Sequence, residues 1–462
     1  VRPPPAAVPD LTDALGNGAI WCAAARRLER SGSSREAEQA WRTAVTLAPN
    51  EVEAWFSLGR ILDRRDCEQA VECYERATAL KPDLDAVWTA LGWSCLRHER
   101  LRDAGRAFEE ARARSPGFAD AEAGLALVAF RSASTDVAWG LLSRHFERPT
   151  PKVAVALGEV GAHPSRAARA LAVVERARDA APADAGVWYA RGALLDVAGR
   201  HDDAFASFER ANGLLGCGFD PDLHARAVDA LIRERPASAL AGPPGHPGAH
   251  VALLVGAPRS GVGLVERLLA QDPRVRAGGA RTELRKVAVE LARLPRERTD
   301  GVALDAYGAA YADGLDPRFV HTDRGPQLEF HLGVAARILD GARVVWVRRD
   351  PADAAWSAFR TPYGDDRAFT RTFDGLSAYL RGHDRLMEHW KRALPLTIHE
   401  VRYEDLVRDP TRALAAVRRF LDLDDGRGRA GADASGVRPT SVGRSLPYDA
   451  WLGPIRDLRR AA

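Results

Sequence analysis

At 462 residues, with 46% hydrophobic and 28% charged residues, the chain is too long for one compact core. Its composition excludes both a disordered chain and a membrane-embedded bundle. Lysine and arginine number 66 against 63 aspartate and glutamate, a formal charge of +3; this balance gives no case for a nucleic-acid partner. Cys22, Cys67, Cys73, Cys95 and Cys217 form no C-x-x-C pair, so free thiols in a reducing cytoplasm are expected rather than disulfides or zinc.

Residues 1–17 read as an N-terminal extension. The stretch from Val1 to Asp10 is proline-rich and lacks the apolar core of a secretory signal. No window holds the apolar run of about 18 residues that a membrane span requires, and a cytoplasmic location is the expectation. From residue 18 to 218 the sequence repeats itself. Trp55, Leu58 and Gly59 precede Ala70, Tyr74, Ala77 and Pro82; Trp88, Leu91 and Gly92 precede Ala104, Phe108, Ala111 and Pro116. A third copy has Trp188, Gly192, Ala204, Phe208 and Ala211, with weaker copies around Trp21, Ala37, Trp41, Ala44 and Pro49 and around Ala170, Val174, Ala177 and Pro182.

The spacing predicts helical hairpins. Glycine and alanine allow two helices to approach, an aromatic ring fills the gap between units, and proline ends each second helix because it lacks an N–H. This pattern resembles the tetratricopeptide family, whose period is about 34 residues. About six units fit, with the one between Phe118 and Pro151 degraded. Such hairpins stack into an all-α solenoid, which serves either as a platform for a protein partner or substrate, or as a scaffold that only packs.

Residues 219–249 read as a connector, with a helix over Asp220–Glu234 and a linker over Gly242–Gly248. From residue 250 to 462, β-rich runs alternate with helical ones: Val251–Val255 then Leu264–Ala270, Arg343–Val347 then Ala352–Phe359, Thr397–Val401 then Thr411–Leu421. The alternation predicts an α/β domain on a parallel sheet.

The first of these strands runs into Gly256-Ala257-Pro258-Arg259-Ser260-Gly261-Val262-Gly263 and a helix. A strand, a glycine-bounded turn and a helix start form a cradle in which backbone N–H groups receive a phosphate. Val262 and Gly263 stand where a nucleoside triphosphatase has lysine and a hydroxyl, which argues against ATP or GTP hydrolysis. Farther on, Val344–Val347 leads into Arg348-Arg349-Asp350-Pro351, with Asp350 a good helix cap and Pro351 a good first helical residue.

These segments resemble the sulfotransferase superfamily, whose P-loop-like domain binds 3'-phosphoadenosine 5'-phosphosulfate (PAPS) as co-substrate without a metal. The resemblance implies that Pro258, Arg259, Ser260, Gly261, Val262 and Gly263 form the 5'-phosphosulfate loop, with Arg259 neutralising the breaking bond. It also implies that Arg349 and Ser357 clamp the 3'-phosphate. The run His399–Val407 resembles the family's V-R-Y-E-D-L segment, which would place Tyr403 near the nucleotide. Arg438-Pro439-Thr440-Ser441-Val442, followed by Pro447, Tyr448 and Trp451, resembles its closing loop, with Ser441 beside the cofactor.

Three departures bear on catalysis. The loop lacks the family's two threonines. Gly278-Gly279-Ala280 replaces Gly-Gly-Glu, leaving Glu283 as the nearest acid and the first choice of base, with His321, His331 and Asp323 behind it. Asp323-Arg324-Gly325-Pro326 puts arginine where the family has a catalytic lysine, keeping the charge but changing its geometry. The leading reading is sulfuryl transfer to a hydroxyl or amine of a small molecule, a peptide or a carrier-bound substrate. The alternative is a catalytically degenerate domain that binds nucleotide or acts as a scaffold through its repeats. A third reading is sulfation that activates a hydroxyl for a later displacement.

Overall fold

A computed structural model describes residues 18–65, 68–242, 245–293, 301–423 and 441–461. Cys67, Pro243 and Pro244 of the linker, the extension 1–17 and Arg438–Thr440 of the closing loop lie outside the described residues. The chain divides into two compact units, Val1–Gly218 with Arg360–Ala368, and Phe219–Phe359 with Phe369–Ala462.

The first unit is built from helix pairs: Gly18–Arg30 with Ser34–Leu47, Val52–Arg64 with Gln69–Leu80, Asp85–Arg97 with Leu101–Arg114, Ala119–Arg131 with Thr135–Ser143, Pro151–Val160 with Pro164–Ala180, and Ala185–Val197 with His201–Leu215. The repeat residues meet as their spacing predicts. A Cβ on Gly59 would lie 2.8 Å from the Tyr74 ring, one on Gly92 2.6 Å from Phe108, and one on Gly192 2.7 Å from Phe208. Any side chain there would push a hairpin apart. The alanines Ala70, Ala77, Ala104, Ala111, Ala204 and Ala211 are fully buried. The degraded stretch is a helix pair like the others, although its second helix has only 9 residues against 14 in the pair before it.

The second unit carries a five-stranded parallel sheet. Its strands are β1 Val251–Val255, β2 Val275–Ala277, β3 Val320–Asp323, β4 Arg343–Arg348 and β5 Thr397–Arg402, in the order β2-β3-β1-β4-β5. Every neighbouring pair is parallel. The central strand β1 is buried along its whole length, as a strand covered on both faces must be, which explains its unbroken apolar run. One face packs Leu253, Val344, Trp346, Leu386 and Trp390; the other packs Ala252, Leu254, Val265, Val345 and Val417.

Helix α1, Pro221–Glu234, reads in the sequence as part of a connector. In the structure its Val228 is fully buried in the core of the second unit. Gly382 of helix α5, Phe373–Ala393, is the reason it fits: a Cβ there would lie 2.5 Å from the His224 ring. Helix α1 is therefore a structural part of this unit.

Candidate functional site

Because all five strands run the same way, the residue that follows each one emerges at the same edge of the sheet, where open α/β sheets hold ligands. Gly256 follows β1, Gly278 follows β2, Arg324 follows β3, Arg349 follows β4 and Tyr403 follows β5. Motifs more than 140 residues apart in sequence are thus gathered at one edge by topology.

The turn after β1 is tightly built. A Cβ on Gly256 would lie 2.3 Å from Ser260 Oγ and 2.7 Å from the Val347 carbonyl oxygen. Arg259 adopts a left-handed backbone with φ of +67°, a conformation that a non-glycine residue holds only where its surroundings impose it. Gly261 follows at φ +105°, and a Cβ there would meet the Tyr403 ring at 2.3 Å. Helix α2, Val262–Leu269, starts at this glycine without a side-chain cap, so its first N–H groups have no intrahelical acceptor. Ser260 is buried, and its Oγ has no hydrogen-bond partner among the described residues.

Arg349 ties this turn to the other motifs. Its Nη1 donates to the Arg259 carbonyl at 2.9 Å and its Nη2 to the Ser441 carbonyl at 2.6 Å. Its guanidinium lies 4.4 Å over the Tyr403 ring, and the Tyr403 hydroxyl is 2.6 Å from Ser441 Oγ. Its third nitrogen, Nε, is buried without a partner among the described residues. Burial pulls this guanidinium below its ordinary pKa. Arg259 Nε donates to Ser357 Oγ at 2.9 Å, so the two residues of the expected 3'-phosphate clamp and the loop arginine lie together.

Helix α4, Pro351–Phe359, holds Ser357 in place. Asp350 Oδ1 accepts the Asp353 N–H at 2.9 Å, making the helix cap that the sequence predicts. Asp350 also receives Arg459 at 2.9 Å, while its own N–H donates to Glu404 at 2.8 Å. Buried Asp353 accepts the N–H groups of Gly443 and Ser445 at 2.7 and 2.8 Å, fastening the closing segment that supplies Ser441.

The residues that follow β2 and β3 are arranged differently. Arg324 is ion-paired through Nε with Glu266, a buried carboxylate on α2. Glu266 also accepts from Thr322 Oγ1 at 2.7 Å and from the Gly279 N–H at 3.0 Å. Glu266 thus holds the Gly278-Gly279 turn, a residue that sequence reasoning missed. A lone acid on an amphipathic helix reads as solvent-facing, and only its closeness in sequence to Gly261 hinted at a site role.

Glu283 begins helix α3, Glu283–Leu291. It accepts the Thr282 N–H at 3.0 Å, lies 3.5 Å from Arg281 and keeps 41% of its side chain exposed. Asp323 is buried, accepting the Tyr311 hydroxyl at 2.6 Å and the Gly325 N–H at 2.8 Å. Burial pushes its carboxyl up to about 6. His321 lies in register with Val251, the first residue of β1. It therefore sits away from the edge that holds the loop, with Nε2 2.9 Å from the Asp316 carbonyl oxygen. Burial lowers the pKa of His331, whose backbone caps the helix Leu332–Ile338 rather than joining the loop residues.

Among the described residues, no group of three or more His, Cys, Asp and Glu is placed to hold a metal, and no helix is long and apolar enough to cross a membrane.

Residues 252–426 match the pattern of the Sulfotransferase family. Residues 22–84, 62–117 and 165–214 match the Tetratricopeptide repeat. A stretch of 201 residues is 23% identical to an uncharacterized protein of Aquifex aeolicus (strain VF5), covering 39% of this chain and 26% of that protein; the match spans about a quarter of its relative. Among solved structures, the chain is similar to PilW, a type IV pilus biogenesis factor, at 17% identity over 42% of this chain and 92% of that one, with a TM-score of 0.34. It is also similar to TTC0263, a thermophilic tetratricopeptide protein of Thermus thermophilus, at 21% identity over 41% and 100%, with a TM-score of 0.33. Likeness at these scores carries no argument about activity. The chain thus joins a tetratricopeptide-repeat array to a domain of the sulfotransferase family.

Proposed function

We propose that the second unit transfers a sulfuryl group from PAPS to an acceptor hydroxyl or amine. The observation that carries this reading is a pair of buried, unpartnered donors, Ser260 Oγ and Arg349 Nε, beside a helix start with unclaimed N–H groups. Buried donors cost free energy when left unsatisfied, and phosphate oxygens would satisfy both. The N–H groups of Gly261, Val262 and Gly263 would hold the 5'-phosphate, backbone taking over from the absent threonines, while that of Ser260 donates to the Ala257 carbonyl at 3.0 Å. Arg349 and Ser357 would hold the 3'-phosphate. When bound, PAPS supplies an activated sulfuryl group whose bond to the 5'-phosphate oxygen breaks as the acceptor atom bonds to sulfur. Arg259 and Arg324 stabilise the negative charge that develops on the leaving phosphate, where fixed cations act most strongly. Glu283, partly exposed, takes the acceptor's proton.

The repeat array serves as a platform that presents a protein or carrier-bound substrate.

Isothermal titration of Arg349→Ala tests the nucleotide site. Loss of a charge-assisted contact worth about 1.5 to 3 kcal/mol should weaken 3'-phosphoadenosine 5'-phosphate by roughly tenfold to a hundredfold. Adenosine 5'-phosphosulfate, which lacks the 3'-phosphate, should be nearly indifferent. Equal losses for both nucleotides would mean that Arg349 acts through folding, and no binding of either to the native chain would remove the proposal.

A further inference from the structure

Three of the six helix pairs share a detail that the fourth pair breaks. The indole N–H of Trp55 donates to the Pro49 carbonyl at 2.8 Å, that of Trp88 to Pro82 at 2.8 Å, and that of Trp188 to Pro182 at 2.9 Å. Each proline stands six residues before its tryptophan. In the fourth pair the residue six after Pro116 is Glu122. The rest of the repeat confirms the alignment. Ala138 and Leu142 fall where the preceding unit has Ala104 and Phe108, and both are fully buried. His145 falls where that unit has Ala111.

The fourth repeat has therefore exchanged tryptophan for glutamate and alanine for histidine, and the two newcomers pair with each other. His145 Nε2 lies 2.8 Å from Glu122 Oε2, and Arg144 Nη1 lies 3.3 Å from Oε1. Glu122 is 4% exposed, so the pair is built into the fold rather than scattered on its surface. The pair stands on the wall of a recess of about 560 Å³, lined by Arg112, Ala113, Pro116, Gly117, Glu122 and His145 among others. Among the described residues, nothing donates to the Pro116 carbonyl.

We propose that this recess is a binding site for an indole ring presented by a partner polypeptide. The chemistry is set by the sister repeats: a planar apolar ring in the gap, with one N–H aimed at the proline carbonyl. Arginine completes it. Arg114 stacks over Trp88 at 5.2 Å and Arg191 over Trp188 at 5.8 Å, and the fourth recess has Arg112 and Arg144 on its wall. Tryptophan is well suited to this role, since it buries a large area, has an N–H that seeks an acceptor and gains from a cation at its face. The site lies wholly in the repeat unit and does not depend on the transfer reaction.

Saturation-transfer NMR on the full chain, with N-acetyltryptophanamide as probe and N-acetylleucinamide as control, tests the site. The native chain should transfer saturation to the indole protons and not to the leucine methyls. The variant E122W/H145A restores the residues of the sister repeats and fills the recess with the chain's own ring, so it should lose the signal and melt at a higher temperature. Ala113→Trp fills the recess from its rim and should also lose the signal, which decides the matter if the double variant fails to fold. No transfer to the native chain, or transfer undiminished in folded Ala113→Trp, would overturn the proposal.

Discussion

The two halves of the candidate site are built on different principles. On the side proposed to hold the nucleotide, Arg349, Arg259, Tyr403, Ser357 and Ser441 come from distant segments and are locked to one another through backbone carbonyls, a ring face and hydroxyls. On the side proposed to meet the acceptor, Glu283 contacts its immediate neighbours Thr282, Arg281 and Lys286. Recognition of a constant co-substrate needs groups fixed within fractions of an ångström, which long-range contacts supply. A base that must meet a variable acceptor can rest on local contacts alone.

The contrast can be broken most severely at Gly261. Gly261→Ala places a methyl against the buried Tyr403 ring at a positive φ. It should cost about 2 kcal/mol or more in stability and weaken 3'-phosphoadenosine 5'-phosphate binding in parallel. Thermal melts beside titrations measure both; an unchanged melt would mean that the turn is not locked. On the other side, Glu283→Gln should leave the melt and the nucleotide affinity alone while lowering turnover at least about tenfold. Unchanged turnover with a working acceptor would remove Glu283 as the base.

A smaller effect sharpens the comparison at Asp323, which anchors the turn through Arg324 by accepting the Gly325 N–H. Its folded pKa of about 6 exceeds the ordinary carboxylate value of 3.8. Its stabilising contribution is therefore fully present below pH about 4 and is lost as pH rises through about 6. Asp323→Asn does not titrate. The melting temperature of the native chain relative to this variant should thus rise by a few degrees between pH 7 and pH 4; a constant difference would place the carboxyl in a more solvated setting.

Much of this was legible in the sequence, for reasons that differ by element. The repeat hairpins announce themselves because glycine, alanine and aromatic positions must recur wherever identical helices pack. Strands β1, β4 and β5 are apolar or β-branched runs next to a glycine turn or a helix cap. Strands β2 and β3 are not visible as such, since three or four residues such as Val275–Ala277 hold too little periodicity to separate them from loops. The Glu266 network is invisible for another reason: its partners Thr322, Arg324 and Gly279 lie 13 to 58 residues away, and only β3 pairing beside β1 brings them to it. Helix α1 reads as a connector because its only fully buried residue is Val228, too little for pattern alone to assign it a core.

The parallel sheet also dictates an order of events during synthesis. Strand β1 pairs with β3 and β4, whose residues begin 69 and 92 positions after Val251. At ribosomal rates of about 5 to 20 residues per second, several seconds elapse before either partner exists. The repeat hairpins, whose contacts are between sequence neighbours, need no such wait. The nascent chain thus leaves the ribosome with its repeat hairpins able to close and with Val251-Ala-Leu-Leu-Val255, its most apolar strand, still unpaired. That interval is when the protein is most exposed to aggregation and most in need of a chaperone.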